Sequence, residues 1–265
     1  TQFWDSRASR GKWIQRSVLL IAIGSCFSCS SALQAGNFMF RAEELPTRLS
    51  VGYAVRLHDM NADQRLDIVI VDSKRILWLE NPHWHEHILI EDPSKKYDNV
   101  SLAPGDIDGD GQIEVVVTAG SDQEGRVVLF KHDGDPRGPW RSQVLREGLS
   151  NVRQVILADL TGDGLLDIIT GKRFWAHGPK GDQEPGAPAV LYWFQLTRKG
   201  GKAEYIPHQI DDNSGVGTQV AAGDVNGDGL IDIVVGNKKG AFVHLHSVKK
   251  VGKKQWQAAQ PKRGN

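Results

Sequence analysis

Four short acidic segments recur along the chain with one internal spacing: Asp59-Met-Asn-Ala-Asp-Gln-Arg-Leu-Asp67, Asp106-Ile-Asp-Gly-Asp-Gly-Gln-Ile-Glu114, Asp159-Leu-Thr-Gly-Asp-Gly-Leu-Leu-Asp167 and Asp224-Val-Asn-Gly-Asp-Gly-Leu-Ile-Asp232. Their starts lie 47, 53 and 65 residues apart. A feature repeated at such a period makes the fold an array of similar supersecondary units, each with its own copy of one loop. Glycine at the sixth position of three copies marks a left-handed turn, so the segments read as loops and not as helices or strands.

What flanks the loops repeats as well. A mostly apolar run precedes each (Tyr53–Leu57, Val100–Ala103, Val155–Ala158, Val220–Ala222) and a β-branched run follows (Ile68–Val71, Val115–Thr118, Ile168–Thr170, Ile233–Val235). Runs this short, apolar on both faces, read as strands sandwiched between neighbouring sheets. A third run follows in every unit (Ile76–Leu79, Val127–Phe130, Val190–Phe194, Phe242–Leu245) and a more polar fourth in three (His87–Ile90, Ser142–Leu145, Tyr205–Ile210). Pro207 suits an outer edge strand, where a missing backbone donor is tolerated. The expected fold is all-β: a β-propeller of four-stranded antiparallel blades, with four repeats in residues 37–246. It is either a closed four-bladed ring or part of a larger propeller. The last unit lacks a fourth strand, which the stretch Asn37–Leu45 is in a position to supply.

The loops place side-chain oxygens at positions 1, 3, 5 and 9: Asp59, Asn61, Asp63 and Asp67; Asp106, Asp108, Asp110 and Glu114; Asp159, Thr161, Asp163 and Asp167; Asp224, Asn226, Asp228 and Asp232. With a backbone carbonyl at position 7, such an all-oxygen set suits calcium better than zinc, which favours nitrogen and sulfur, or magnesium, which keeps its water. Carboxylates crowded into one turn repel without a cation. Loop two is the most charged and loop one the weakest candidate, because Gln64 stands where the others have glycine.

These D-x-[DNT]-x-D-G-x-x-[DE] loops resemble the FG-GAP/VCBS repeats of integrin-α-type propellers and of many secreted bacterial proteins. The resemblance covers about residues 50 to 246 and implies a calcium-binding propeller. The Phe-Gly…Gly-Ala-Pro cage of that family is not preserved beyond Gly186-Ala187-Pro188, which weakens the case for an integrin-like ligand mechanism. The phrases Trp78-Leu-Glu-Asn-Pro82, Tyr97-Asp-Asn-Val100 and Gly171-Lys-Arg-Phe-Trp-Ala-His-Gly178 resemble secreted planctomycete-type members and, distantly, the propeller of aldos-2-ulose dehydratase, which implies sugar-related work.

Before the repeats, Arg7, Arg10, Lys12 and Arg16 precede the apolar run Ser17–Gly24, and Ser-Ala-Leu-Gln-Ala ends at Ala35. This pattern predicts a signal peptide over 1–35 with a fragmentary start, and hence export to the periplasm, cell envelope or medium. Ile23-Gly24-Ser25-Cys26 also resembles a lipobox, in which case Cys26 carries a lipid anchor, the one membrane attachment this chain predicts. Both cysteines, Cys26 and Cys29, fall in this segment, so the repeats carry no disulfide. After His246 the residues 247–265 read as a basic disordered tail. Lysine plus arginine equals aspartate plus glutamate at 32 each, so no global field favours nucleic acid.

The third unit inserts residues 172–186 between its second and third strands, long enough to suggest a functional loop. It gathers His177 as a general acid or base, Arg173 and Lys172 as cations, Trp175 as an aromatic platform, and Asp182 and Glu184 as carboxylates. His83, His85 and His87 alternate, a spacing compatible with a transition metal on one face of a strand. Two readings follow: a scaffold binding an extracytoplasmic protein or polysaccharide, or a sugar-processing lyase, dehydratase or hydrolase-associated enzyme. The enzyme requires His177, Arg173 and an acid from another blade in one pocket.

Overall fold

A computed structural model describes residues 41–91, 99–120, 125–199 and 202–255; the expected signal segment 1–35, with Cys26, and the end of the tail lie outside them. Residues 44–265 form one compact unit, described below, and residues 1–43 another. Of the latter only residues 41–43 are described, where Arg41 and Glu43 form an exposed ion pair at 3.0 Å.

Every repeat is an up-and-down antiparallel sheet. Blade one comprises β1 (Gly52–His58), β2 (Asp67–Asp72), β3 (Arg75–Glu80) and β4 (His85–Glu91). Blade two comprises β5 (Asn99–Gly105), β6 (Glu114–Ala119), β7 (Arg126–His132) and β8 (Trp140–Arg146). Blade three comprises β9 (Val152–Ala158), β10 (Asp167–Lys172), β11 (Leu191–Lys199) and β12 (Lys202–Asp211), and blade four β13 (Val220–Gly223), β14 (Asp232–Asn237) and β15 (Gly240–His244). The acidic loops join the first and second strands of each blade. Pro207 lies on β12, the edge strand, opposite Phe194. The ladders share irregularities too: the first pair of strands slips register at its far end in blades one, two and three.

The core lies between blades. Val69 and Trp78 on one face of blade one meet Leu102, Val115, Val117, Val128 and Phe130 of blade two. The opposite face of blade two, with Ala103, Val116 and Leu129, meets Val155, Ile168, Phe194 and Leu196 of blade three. Ile169, Leu191 and Trp193 of blade three meet Val220, Ile233 and Val235 of blade four. Because each middle blade is covered on both sides, β6 and β10 are buried at every residue, which is why their sequences are apolar without alternation.

Among the described residues the ring is not closed. The outward face of blade four, carrying Ala221, Val234, Val243 and Leu245, has no covering blade among the described residues, and Val243 and Leu245 are 51% and 58% exposed. The stretch expected to complete blade four does not do so over its described part: residues 41–45 are irregular, and Leu45 packs against Ile70, Leu77 and Leu79 of blade one.

Candidate metal loops and the central pocket

Each loop is wound around its own carboxylates. The position 1 aspartate accepts the backbone N–H groups of positions 5 and 6 in all four: Asp59 from Asp63 and Gln64, Asp106 from Asp110 and Gly111, Asp159 from Asp163 and Gly164, Asp224 from Asp228 and Gly229, at 2.7–3.2 Å. The position 5 aspartate accepts the N–H of position 7 at 2.9 Å. Side-chain-to-backbone bonds of this kind hold a turn that strand pairing cannot reach.

The winding needs left-handed backbone at two positions. Glycines 111, 164 and 229 at position 6 have φ of 87°, 85° and 83°, and glycines 109, 162 and 227 at position 4 have 68°, 72° and 79°. Loop one makes the same turn with Ala62 at 59° and Gln64 at 68°. The sequence pointed to the strain at Gln64 and missed its counterpart at Ala62, although Gly-x-Gly in the other three copies carried the signal.

Position 9 anchors the loop to the sheet. Asp67, Asp167 and Asp232 are buried, and one oxygen of each accepts the N–H of position 2 (Met60, Leu160, Val225) at 2.9–3.1 Å. The other oxygen accepts the backbone N–H of Leu196 within the third strand, or of Asn81 or His246 just beyond it, at 2.7–2.9 Å. Burial raises the Asp67 carboxyl above its ordinary range and pushes Asp167 up to about 6, against the lowering effect of those amides.

Loop two differs. Ligand oxygens of Asp106, Asp108 and Glu114 lie within 4.8 Å of one another, a spacing that among the described residues no other group of three His, Cys, Asp or Glu meets. Asp108 and Glu114 are 7% and 2% exposed. The Lys131 ammonium donates to Asp108 and, at 3.2 Å, to Glu114 Oε1. Burial works against the charge of Lys131, but these partners raise its pKa.

The insertion is divided by its packing. Lys172 is buried and its ammonium donates to Ser150 Oγ and to the Glu184 carbonyl, both at 2.8 Å, so it ties the insertion to its own blade. Trp175 donates from Nε1 to the Pro185 carbonyl at 3.0 Å and stacks on Phe174. Asp182 caps the His177 backbone N–H at 2.6 Å, and Glu184 is exposed with left-handed backbone. Only Arg173 and His177 reach the central pocket, a cleft of about 650 Å³ where the inner strands of blades one to three meet the entry to blade four. Arg56, Arg153, Gln154 and Gln219 share its wall, which among the described residues includes no carboxylate. Turning the Gln154 amide lets it accept from Arg56 Nη2 at 2.8 Å and donate to the Thr218 carbonyl at 3.2 Å, linking three blades.

The three histidines do not converge: His83 and His85 are exposed, whereas His87 stacks on Trp78 and pairs with Glu80 at 2.7 Å. Glu80 also accepts Asn61 Nδ2 of loop one at 3.0 Å and Arg137 Nε, from the β7–β8 loop of blade two, at 3.1 Å. Hydrogen bonding to Arg137 pulls its carboxyl down to about 2.

Single-sheet blades stacked face to face, each with an acidic loop between its first two strands, define a β-propeller protein. A model of the FG-GAP-like repeat matches residues 59–117 and 106–170, and one of the FG-GAP repeat matches 216–243. This chain is an FG-GAP repeat protein. It is similar to integrin alpha pat-2 of Caenorhabditis elegans, 33% identical over 179 residues that cover 59% of this chain and 14% of that protein. Its similarity to integrin alpha pat-2 of Caenorhabditis briggsae is 30% over 178 residues, with the same coverage. The chain thus spans about one seventh of the length of these relatives.

Proposed function

We propose that the protein is an exported, calcium-stabilised propeller scaffold that binds an extracytoplasmic protein or polysaccharide at its central pocket. The observation that carries this reading is the pocket itself. It gathers residues of blades one to three and of the lead into blade four, and Arg56, Arg153, Arg173 and His177 line it together. A cleft with this lining favours a ligand bearing carboxylate or sulfate groups, through charge-assisted hydrogen bonds to guanidinium. Affinity electrophoresis against neutral, carboxylated and sulfated polysaccharides tests it: retention is expected for the charged polymers and lost in Arg173→Ala with His177→Ala. Retention that survives the double substitution places the ligand elsewhere.

Calcium would be held in loops three and four by Asp159, Thr161 and Asp163 and by Asp224, Asn226 and Asp228, with the position 7 carbonyls. The bound ion supplies rigidity; Asp167 and Asp232 orient the loop through backbone amides. A ligand that binds only the folded state stabilises it by about 2.7 kcal/mol at 100 times its dissociation constant, and extracellular sites bind at about 10⁻⁴–10⁻³ M. Melting is therefore expected to rise between chelator and millimolar calcium; equal midpoints mean that the loops are turns alone. N-terminal sequencing of protein from its host tests removal of residues 1–35.

One observation favours the sugar-processing alternative, the meeting of His177 with Arg173 in one pocket. His177 would exchange the proton and Arg173 would hold the acidic or hydroxyl group. That reading predicts turnover of an acidic oligosaccharide abolished by His177→Ala with the fold intact; binding without turnover supports the scaffold.

A further inference from the structure

The third strand of each blade passes its acidic loop in one register. Ile68 pairs with Leu79, Val115 with Phe130, Ile168 with Phe194 and Ile233 with His244, so the next residues, Glu80, Lys131, Gln195 and Leu245, are equivalent. Only blade two has a cation there. Blade two is also the one whose loop ends in glutamate in place of aspartate. The two departures meet in space. In the other loops the second oxygen of the position 9 aspartate accepts a backbone N–H two residues beyond the pair just named; in blade two Glu114 Oε1 accepts from the Lys131 ammonium.

We propose that Lys131 is the built-in cation of loop two: its ammonium takes the place of a divalent ion between Asp108 and Glu114, so this loop carries its own countercharge and its sister loops carry the calcium demand. Asp108 and Glu114 are buried side by side and need a compensating charge, because an unpaired buried carboxylate is costly. The ammonium provides it with directed N–H donors, reaching both carboxylates. Arg198 Nη2, 3.9 Å from Asp108 Oδ1, adds a second positive charge from blade three. A divalent ion entering the same oxygens would face the ammonium at close range and would have to displace it. The longer glutamate arm and the lysine therefore act as a pair, exchanging a metal-dependent loop for a permanent one in a blade that is covered on both sides.

The inference rests on calcium binding by the sister loops, and the experiment separates the two claims. Calcium titration by calorimetry on the full chain compares wild type, Asp108→Asn and Lys131→Met. Expected are equal stoichiometries for wild type and Asp108→Asn, and about one additional equivalent for Lys131→Met, whose melting point falls in chelator and recovers in calcium. Loss of one equivalent in Asp108→Asn overturns the proposal, as does a folded Lys131→Met that gains none. If Lys131→Met does not fold, the wild type and Asp108→Asn pair decides. If the wild type binds no calcium, the sister-loop reading fails by itself, and the gain or absence of a site in Lys131→Met still decides the role of Lys131.

Discussion

Blades two and four are built from nearly the same repeat and stand in different surroundings. Leu129 and Val243 occupy equivalent positions on the third strand, yet Leu129 is fully buried against blade three and Val243 is 51% exposed. Ala103 and Val116 of blade two are buried, whereas Ala221 is exposed and Val234 half-buried. The loops differ in the same sense: loop two is braced by Lys131, while the equivalent residue in blade four is the exposed Leu245. A repeat thus acquires its stability from its neighbours, and a blade with one neighbour depends more on what its loop binds.

The largest expected effect breaks this comparison most directly. Leu129→Ala should cost about 3 kcal/mol through lost burial and a residual cavity, and Val243→Ala no more than about 0.5 kcal/mol, as for exposed sites. Chemical denaturation measures both; similar losses mean that the outer face of blade four is covered in solution. Next comes calcium. Hydrogen exchange is expected to slow in loop four by up to the equivalent of about 2.7 kcal/mol at saturating ion, while loop two stays unchanged. Slowing in both loops contradicts the internal cation.

Loop one sharpens the picture with a gain. Gln64→Gly should stabilise by about 1 kcal/mol, because left-handed backbone strains a residue with a Cβ, and the same exchange at Ala62 should act in the same direction. A thermal melt in chelator reads this without contribution from calcium. The smallest effect concerns the tie between blades one and two. The Glu80 carboxyl is lowered from 4.5 to about 2 in the folded state, so its contribution is complete above about pH 4.5 and lost as pH falls towards 2. Glu80→Gln should therefore lower stability near neutrality by about 1 kcal/mol or less, with the difference from wild type shrinking through that window. A difference constant from pH 6 to 2 rules out the ion pair as its source.

The strands were legible because a blade sandwiched between others needs short runs apolar on both faces, and the phased loops fixed where each run begins. Pro207 marked an outer strand for the same physical reason that it lies on β12. What was not legible was how the insertion divides. Lys172, Arg173, Trp175, His177, Asp182 and Glu184 are close in sequence and equally suited to a site, but backbone bonds of residues 172–174 to Asn151 and Val216 aim only Arg173 and His177 at the pocket.

The sequence by itself determined the repeat, its loops and their oxygen-rich chemistry, since spacing within one turn settles which groups are close. It ranked loop two first by counting carboxylates. Only the tertiary structure decided which charges answer them: Lys131 lies on a different strand, and only the register of β6 with β7 brings its ammonium to Asp108 and Glu114. The open outer face of blade four among the described residues was visible only there too, because an apolar face looks the same in sequence with a neighbour or without one.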